Sequence, residues 1–362
     1  MRIINPIELA ISKEFNEKFE CNKVENRKNI NALQRKVREN AKRESCLFCG
    51  RKFDGFCNSH TIPDFILRNI AVDGKIRTMN SVLNIKLYDE EKGIRNAGTF
   101  RQICKKCDGE VFKIYEEELA LKNIITDRMM YAIAMKNYLK MIDKRYLEIE
   151  RNNLTFQIDS IREVKDTDLQ EYLDAFEKTK RYYKLNKKHK YRMIVDKLLD
   201  YRVPVAFQST VALIMDLKGN IINDVYCAER SYRVEELHIC VFSLSQNTRV
   251  LMFVNRDYKH YDSLTKNQME KFSLNELLSI INYIIFLYSE DVYLGCDLSE
   301  DTLKQLFPVC KISLPEIYQN NYFDKSKSEI DKILRRDYDL RKRKDIPNLL
   351  SEKYKIVIEN NI

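Results

Sequence analysis

Tryptophan is absent from the 362-residue chain, and glycine (8), proline (6) and histidine (4) are scarce. So few glycines and prolines leave little room for long disordered or low-complexity stretches. No Gly-rich phosphate loop and no internal repeat is present. Long apolar runs are missing too. The longest, Leu277 to Tyr288, is interrupted by Ser279, Asn282 and Tyr283. It is too short and too polar to span a bilayer and reads as a buried helix. The opening MRIINPIELAISKEF holds no apolar segment of signal-peptide length. The expectation is a cytoplasmic protein with no membrane partner.

What is present fits a globular protein. Hydrophobic residues make up 44% and charged residues 32%, and 21 Tyr and 17 Phe supply large core side chains. The length allows two domains, each able to bury a core. The net charge of +9 is modest for this length and by itself only leans toward an anionic partner.

Three regions follow from patterning, and together they predict an α+β fold. Residues 1–45 read as a charged helical arm, with a weak apolar stripe at Leu9, Ile11 and Phe15. Residues 46–150 form a cysteine–histidine module closed by a packing helix. That helix starts after Thr126 as N-cap and carries Met129, Met130, Ile133, Ala134, Tyr138, Met141 and Ile142 at helical spacing. Residues 151–362 read as a mixed α+β domain of unassigned role. It begins with a strand at Leu154–Ile158 and a helix from Thr167 to about Tyr183. Two hairpins follow, one turning at Lys218-Gly219-Asn220 and one at Ser245-Gln246-Asn247. A buried helix over 273–289 and a charged one over 324–342 complete it. The basic run KTKRYYKLNKKHKYR at 178–192 could track a phosphate backbone, with Tyr182, Tyr183 and Tyr191 to stack on bases, or could be a solvated linker.

Ten cysteines in a reducing compartment are read for spacing and not for disulfides. Four of them form two C-x-x-C pairs, Cys46/Cys49 and Cys104/Cys107. Zinc prefers four tetrahedral ligands, and two thiolates three residues apart fit one tight knuckle. The pairs make one structural site if the chain between them returns through a small hairpin. A helix follows the second pair, with Phe112, Tyr115 and Leu119 on one face. Knuckle, hairpin, knuckle and helix is the order of a treble-clef zinc module.

Between the knuckles lies Cys57-Asn58-Ser59-His60-Thr61-Ile62-Pro63. Ser-His-x-Ile-Pro between two C-x-x-C pairs resembles the HNH endonuclease motif, a ββα-metal nuclease built on a treble clef. The resemblance covers about residues 46–145. In that family an Asp-His or His-His pair followed by Ile/Val-Pro lies on the first strand. An Asn precedes the second C-x-x-C, and His or Asn follows it on the helix. The matching positions are Ser59-His60 with Ile62 and Pro63, then Asn96, then Asp108. The resemblance implies metal-dependent hydrolysis of phosphodiester bonds in nucleic acid, DNA before RNA, of the kind used in phage defence. His60 would be the general base, Asn96 would orient it, and Asp108 would help hold a catalytic divalent cation such as Mg²⁺ or Mn²⁺. The zinc on Cys46, Cys49, Cys104 and Cys107 would hold the frame, and the C-terminal domain could take a protein partner. Ser59 departs from the pattern, because a stronger metal ligand stands there in the family.

Other readings stay open. Cys46, Cys49, Cys57 and His60 also form a plausible zinc spacing. Asp108 also reads as a carboxylate favoured by a helix N-terminus, and Asn96 as a turn residue before Ala97-Gly98. A second function class is a non-catalytic zinc module binding nucleic acid or protein. His189, His238 and His260 have no partners at metal spacing.

Overall fold

The computed structural model describes residues 17, 20–52, 57–83, 91–155, 157–225, 227, 229, 232–313 and 326–357. The stripe at Leu9, Ile11 and Phe15 lies outside the described residues. The fold is mixed α+β, and it separates into two compact units built from discontinuous segments. The larger comprises residues 1–21, 64–95 and 193–362, and the smaller residues 22–63 and 96–192. The linear division at 45 and 150 therefore differs from the compact units. The segment between the knuckles leaves the smaller unit after Pro63 and re-enters it at Asn96.

The larger unit is organised by a seven-stranded sheet of order β3-β2-β9-β6-β7-β8-β5. These are Glu91–Gly93, Lys75–Thr78, Val292–Leu294, Val205–Val211, Leu237–Ser243, Thr248–Asn255 and Tyr191–Leu199. Strands β6, β7 and β8 are buried along their whole length. This explains why they read as near-continuous apolar runs and not as alternation. One face of the sheet, with Val205, Phe207, Ile239, Val241, Val250 and Met252, shares a core with helices α8 (Leu274–Tyr288) and α9 (Glu300–Ser313). Helix α8 is started by a capping box between Ser273 and Glu276. Helix α2 (Asp64–Ile70) lies on β6 and β7, where Asn69 Nδ2 donates to the Ser243 carbonyl at 2.9 Å. Helix α3 (Met79–Leu83) adds Met79, Val82 and Leu83 to the core. Helix α10 (Lys327–Asp337) is the charged one, and Leu334 is its buried residue.

The β7–β8 hairpin forms as expected, with Ser243 opposite Thr248. The other hairpin does not. Its turn is present at Gly219 (φ 84°), with a single bridge between Met215 and Ile221. The arms are drawn elsewhere: β6 pairs with β7 and β9. Side chains take the backbone groups that a ladder would have used. Tyr261 and Tyr288 hydroxyls accept from the amides of Leu213 and Ile214, and Asn223 Nδ2 donates to the Leu213 carbonyl at 2.8 Å.

The smaller unit is helical around a two-stranded ribbon. Helix α6 (Asp127–Leu154) packs against α7 (Asp159–Lys184), α1 (Lys23–Asn40) and α4 (Lys105–Phe112). Thr126 caps α6 as its sequence predicts, accepting from Met129 N at 3.2 Å. A five-residue helix, α5 (Glu118–Lys122), precedes it. Among the described residues of the expected strand at Leu154–Ile158, none is in a strand. There α6 ends and the chain turns into α7. Asn152 holds the turn, donating to the Ile158 carbonyl at 3.0 Å and accepting from the Ile158 amide at 3.3 Å. The basic run 178–192 includes an exposed connection over 185–190. It forms the end of α7 and the start of β5, with Tyr183 and Tyr191 buried. The Tyr191 hydroxyl bonds to Thr179 at 2.9 Å, and the Tyr131 and Tyr191 ring centroids lie 5.7 Å apart.

Candidate functional site

The two knuckles meet. Gly50, at φ 74°, closes the first turn, in which its amide donates to the Cys46 carbonyl at 2.8 Å. The Leu47 amide donates to the Gln102 carbonyl at 3.1 Å and ties the first knuckle to the second. The Cys104 amide donates to Cys46 Sγ at 3.4 Å. The sulfurs of Cys46, Cys49, Cys104 and Cys107 all lie within 4.8 Å of one another, and Cys49 and Cys104 are 4.0 Å apart. A tetrahedral zinc with bonds near 2.3 Å asks for sulfurs about 3.8 Å apart. The cluster fits that ion with a small contraction.

The thiols differ in how readily they ionise. Burial pushes Cys46 and Cys107 up. Burial also acts on Cys49, but hydrogen bonds from Arg51 outweigh it and bring the thiol down to about 6. Among the described residues, no group of ligands that includes Cys57 or His60 gathers at metal distance. Burial and then the Asp108 charge push the Cys57 thiol up to about 11, which disfavours it as a ligand. The alternative set of Cys46, Cys49, Cys57 and His60 is not the one the fold assembles.

Next to this cluster, β1 (Ser59–His60) pairs with β4 (Thr99–Phe100), Ser59 opposite Phe100 and His60 opposite Thr99. Helix α4 then begins at the second knuckle. Ser59 is buried and donates its hydroxyl hydrogen bond to Asp108 Oδ1. His60, the next residue on the strand, points to the other side and is half-buried. Ile62 and the threonine before it are buried, and Thr61 bonds through amide and hydroxyl to the Gly98 carbonyl at 2.9 and 2.8 Å. Asn96 ends a short 3-10 turn in an exposed position, and among the described residues no hydrogen bond joins it to His60. Phe112 and Tyr115 are buried behind α4, but Leu119 is exposed, because the helix stops at Phe112.

One residue of this site went unread in the sequence. Lys136, on α6, is 1% exposed. Its Nζ bonds to Glu116 Oε1, lies 4.0 Å from Asp108 Oδ1 and sits 4.6 Å from the Phe112 ring centroid. The signal was a lone cation inside the apolar run MMYAIAMKNYL, where a helix-period reading records only the apolar residues.

Lys136 bears on the expected divalent cation. The oxygens at hand are one Asp108 carboxylate, the Ser59 hydroxyl and Glu116. Asp108 Oδ1 is engaged by Ser59 and faced by an ammonium. An ammonium that faces this carboxylate repels a divalent cation brought to it. Magnesium or calcium would also want six or more oxygen ligands. These residues do not fit a resident divalent ion.

Among the described residues, no helix is long and apolar enough to cross a membrane. No protein-family model matches the chain, and comparison with curated proteins and with solved structures gives no match.

Proposed function

We propose that the smaller unit is a treble-clef module of the HNH type, held by zinc on Cys46, Cys49, Cys104 and Cys107, which hydrolyses phosphodiester bonds in nucleic acid, DNA before RNA. The observation that carries this reading is the order β1, β4, α4. It sets Ser59-His60 one strand away from the second knuckle and brings Ser59 into contact with Asp108. Those are the positions where the HNH motif gathers its chemistry. Cations flank them. Arg101 Nε donates to Asn58 Oδ1 at 2.8 Å, which holds a guanidinium beside the strand pair, and Lys105 is exposed at the start of α4. Both suit an anionic backbone.

In the hydrolysis, His60 takes a proton from a water molecule, and the water oxygen bonds to phosphorus. The bond from phosphorus to the leaving oxygen breaks, and that oxygen takes up a proton. The step asks only that one nitrogen of His60 be unprotonated.

A second reading, a zinc module that binds nucleic acid or protein without cleaving it, is favoured by the closure of Ser59, Asp108 and Lys136 on one another. Nicking of supercoiled plasmid decides between them. Wild type should nick, and His60→Ala should lose at least about a hundredfold of the rate, as expected for loss of a general base. Equal rates, or no nicking by either protein, would sink hydrolysis and leave the binding reading.

A further inference from the structure

We propose that the buried Lys136 ammonium is the permanent cation of the Asp108 site, so that this site takes up no divalent metal. The proposal rests on the reading of Asp108 as the position where an HNH module would hold its ion. It then departs from that family at the chemistry.

A lysine at 1% exposure cannot keep its charge unless carboxylates face it. Two do. Glu116 Oε1 is bonded to Nζ, and Asp108 Oδ1 lies 4.0 Å away. The Phe112 ring, 4.6 Å from Nζ, lines the same pocket with a π face, which favours a cation there. The side chain issues from the middle of α6, where Met135 and Asn137 are buried on either side of it. It is therefore fixed in place, unlike a surface lysine that could swing out to admit an ion.

The Ser59 substitution falls into place on this view. A carboxylate or imidazole at position 59 would add a ligand for a divalent ion. A hydroxyl adds none of comparable strength but can donate a hydrogen bond, and it donates to Asp108. Ser59 and Lys136 together satisfy the Asp108 carboxylate that a metal would otherwise satisfy. Lys136 is a positioning residue. It is too buried to touch a substrate and acts through Asp108 and the start of α4.

Manganese is the probe, because free Mn²⁺ is read directly by its paramagnetic resonance signal. The zinc-loaded full chain should leave Mn²⁺ free up to millimolar concentration. Lys136→Met should bind at least tenfold more tightly than wild type, and the added Asp108→Asn change should remove that gain. Lys136→Arg, which keeps the charge, should behave as wild type. A wild-type chain that binds one Mn²⁺ and loses it on Asp108→Asn would overturn the proposal, and this titration needs no Lys136 variant to fold. If plasmid nicking by wild type is present but requires added Mg²⁺ or Mn²⁺, the proposal also fails. Absence of nicking under every condition sinks hydrolysis instead and leaves the manganese result to stand by itself.

Discussion

Cys57 and Cys104 differ in consequence although both are half-buried cysteines in the same unit. Cys104 belongs to a sulfur cluster narrow enough for one zinc ion, whereas Cys57 is held as a thiol by burial and by Asp108. Cys104→Ser should therefore abolish stoichiometric zinc, and Cys57→Ser should retain it. Metal content per chain checks this, as does the charge-transfer absorption of the cobalt-substituted protein. Zinc lost with Cys57 and kept without Cys104 would reverse the ligand assignment. The four ligands were legible because their information is local: each pair fits one turn, and the repeated spacing announces it. Lys136 was not legible for the opposite reason. Its role depends on burial against α4, and a sequence shows a lysine in a helix without showing which carboxylates face it. Asn96 stands exposed at the end of its 3-10 turn, and a motif position by itself carries no statement of exposure.

At the scale of elements, start signals read well and pairings read poorly. Ser273 stands before an apolar run with Glu276 three residues on, and α8 opens there with both capping bonds formed. Ser273→Ala should lower stability by about 1 kcal/mol, measured as a shift in the denaturant midpoint with unchanged slope. A change below about 0.3 kcal/mol would mean that packing of α8 alone sets its start. Thr126 on α6 follows the same logic. The β7–β8 hairpin was readable because three turn residues separate two apolar runs. The failures share a cause. Leu154–Ile158 has strand composition, yet its register is set by Asn152, whose amide reaches ahead to Ile158. The stretch after β6 has hairpin composition, yet Tyr261 and Tyr288, distant in sequence, and Asn223 from its own second arm hold its backbone. Composition proposes an element, and side-chain bonds to the backbone decide whether it forms.

For the whole molecule, the passage of the chain between units matters more than the boundaries of either. The smaller unit is interrupted by residues 64–95, whose strands β2 and β3 belong to the large sheet, where Arg77 and Thr78 of β2 pair with Leu294 and Tyr293 of β9. Cutting out residues 22–192 would carry those strands along without β9 and expose a row of unpaired amides and carbonyls. Such a fragment should self-associate. The same fragment with a short Gly/Ser linker replacing 64–95 should stay monomeric and bind one zinc, because Thr61 and Gly98 are already hydrogen-bonded across the gap at 2.9 Å. Light scattering after size-exclusion chromatography reads both masses, and two monomers, or two aggregates, would contradict this. The interruption also makes the smaller unit a host that can be emptied of its guest. Its two halves close on each other through a strand pair, four sulfurs and the packing of α1 on α6, so its autonomy can be restored by deletion, where most domains are isolated by trimming their ends.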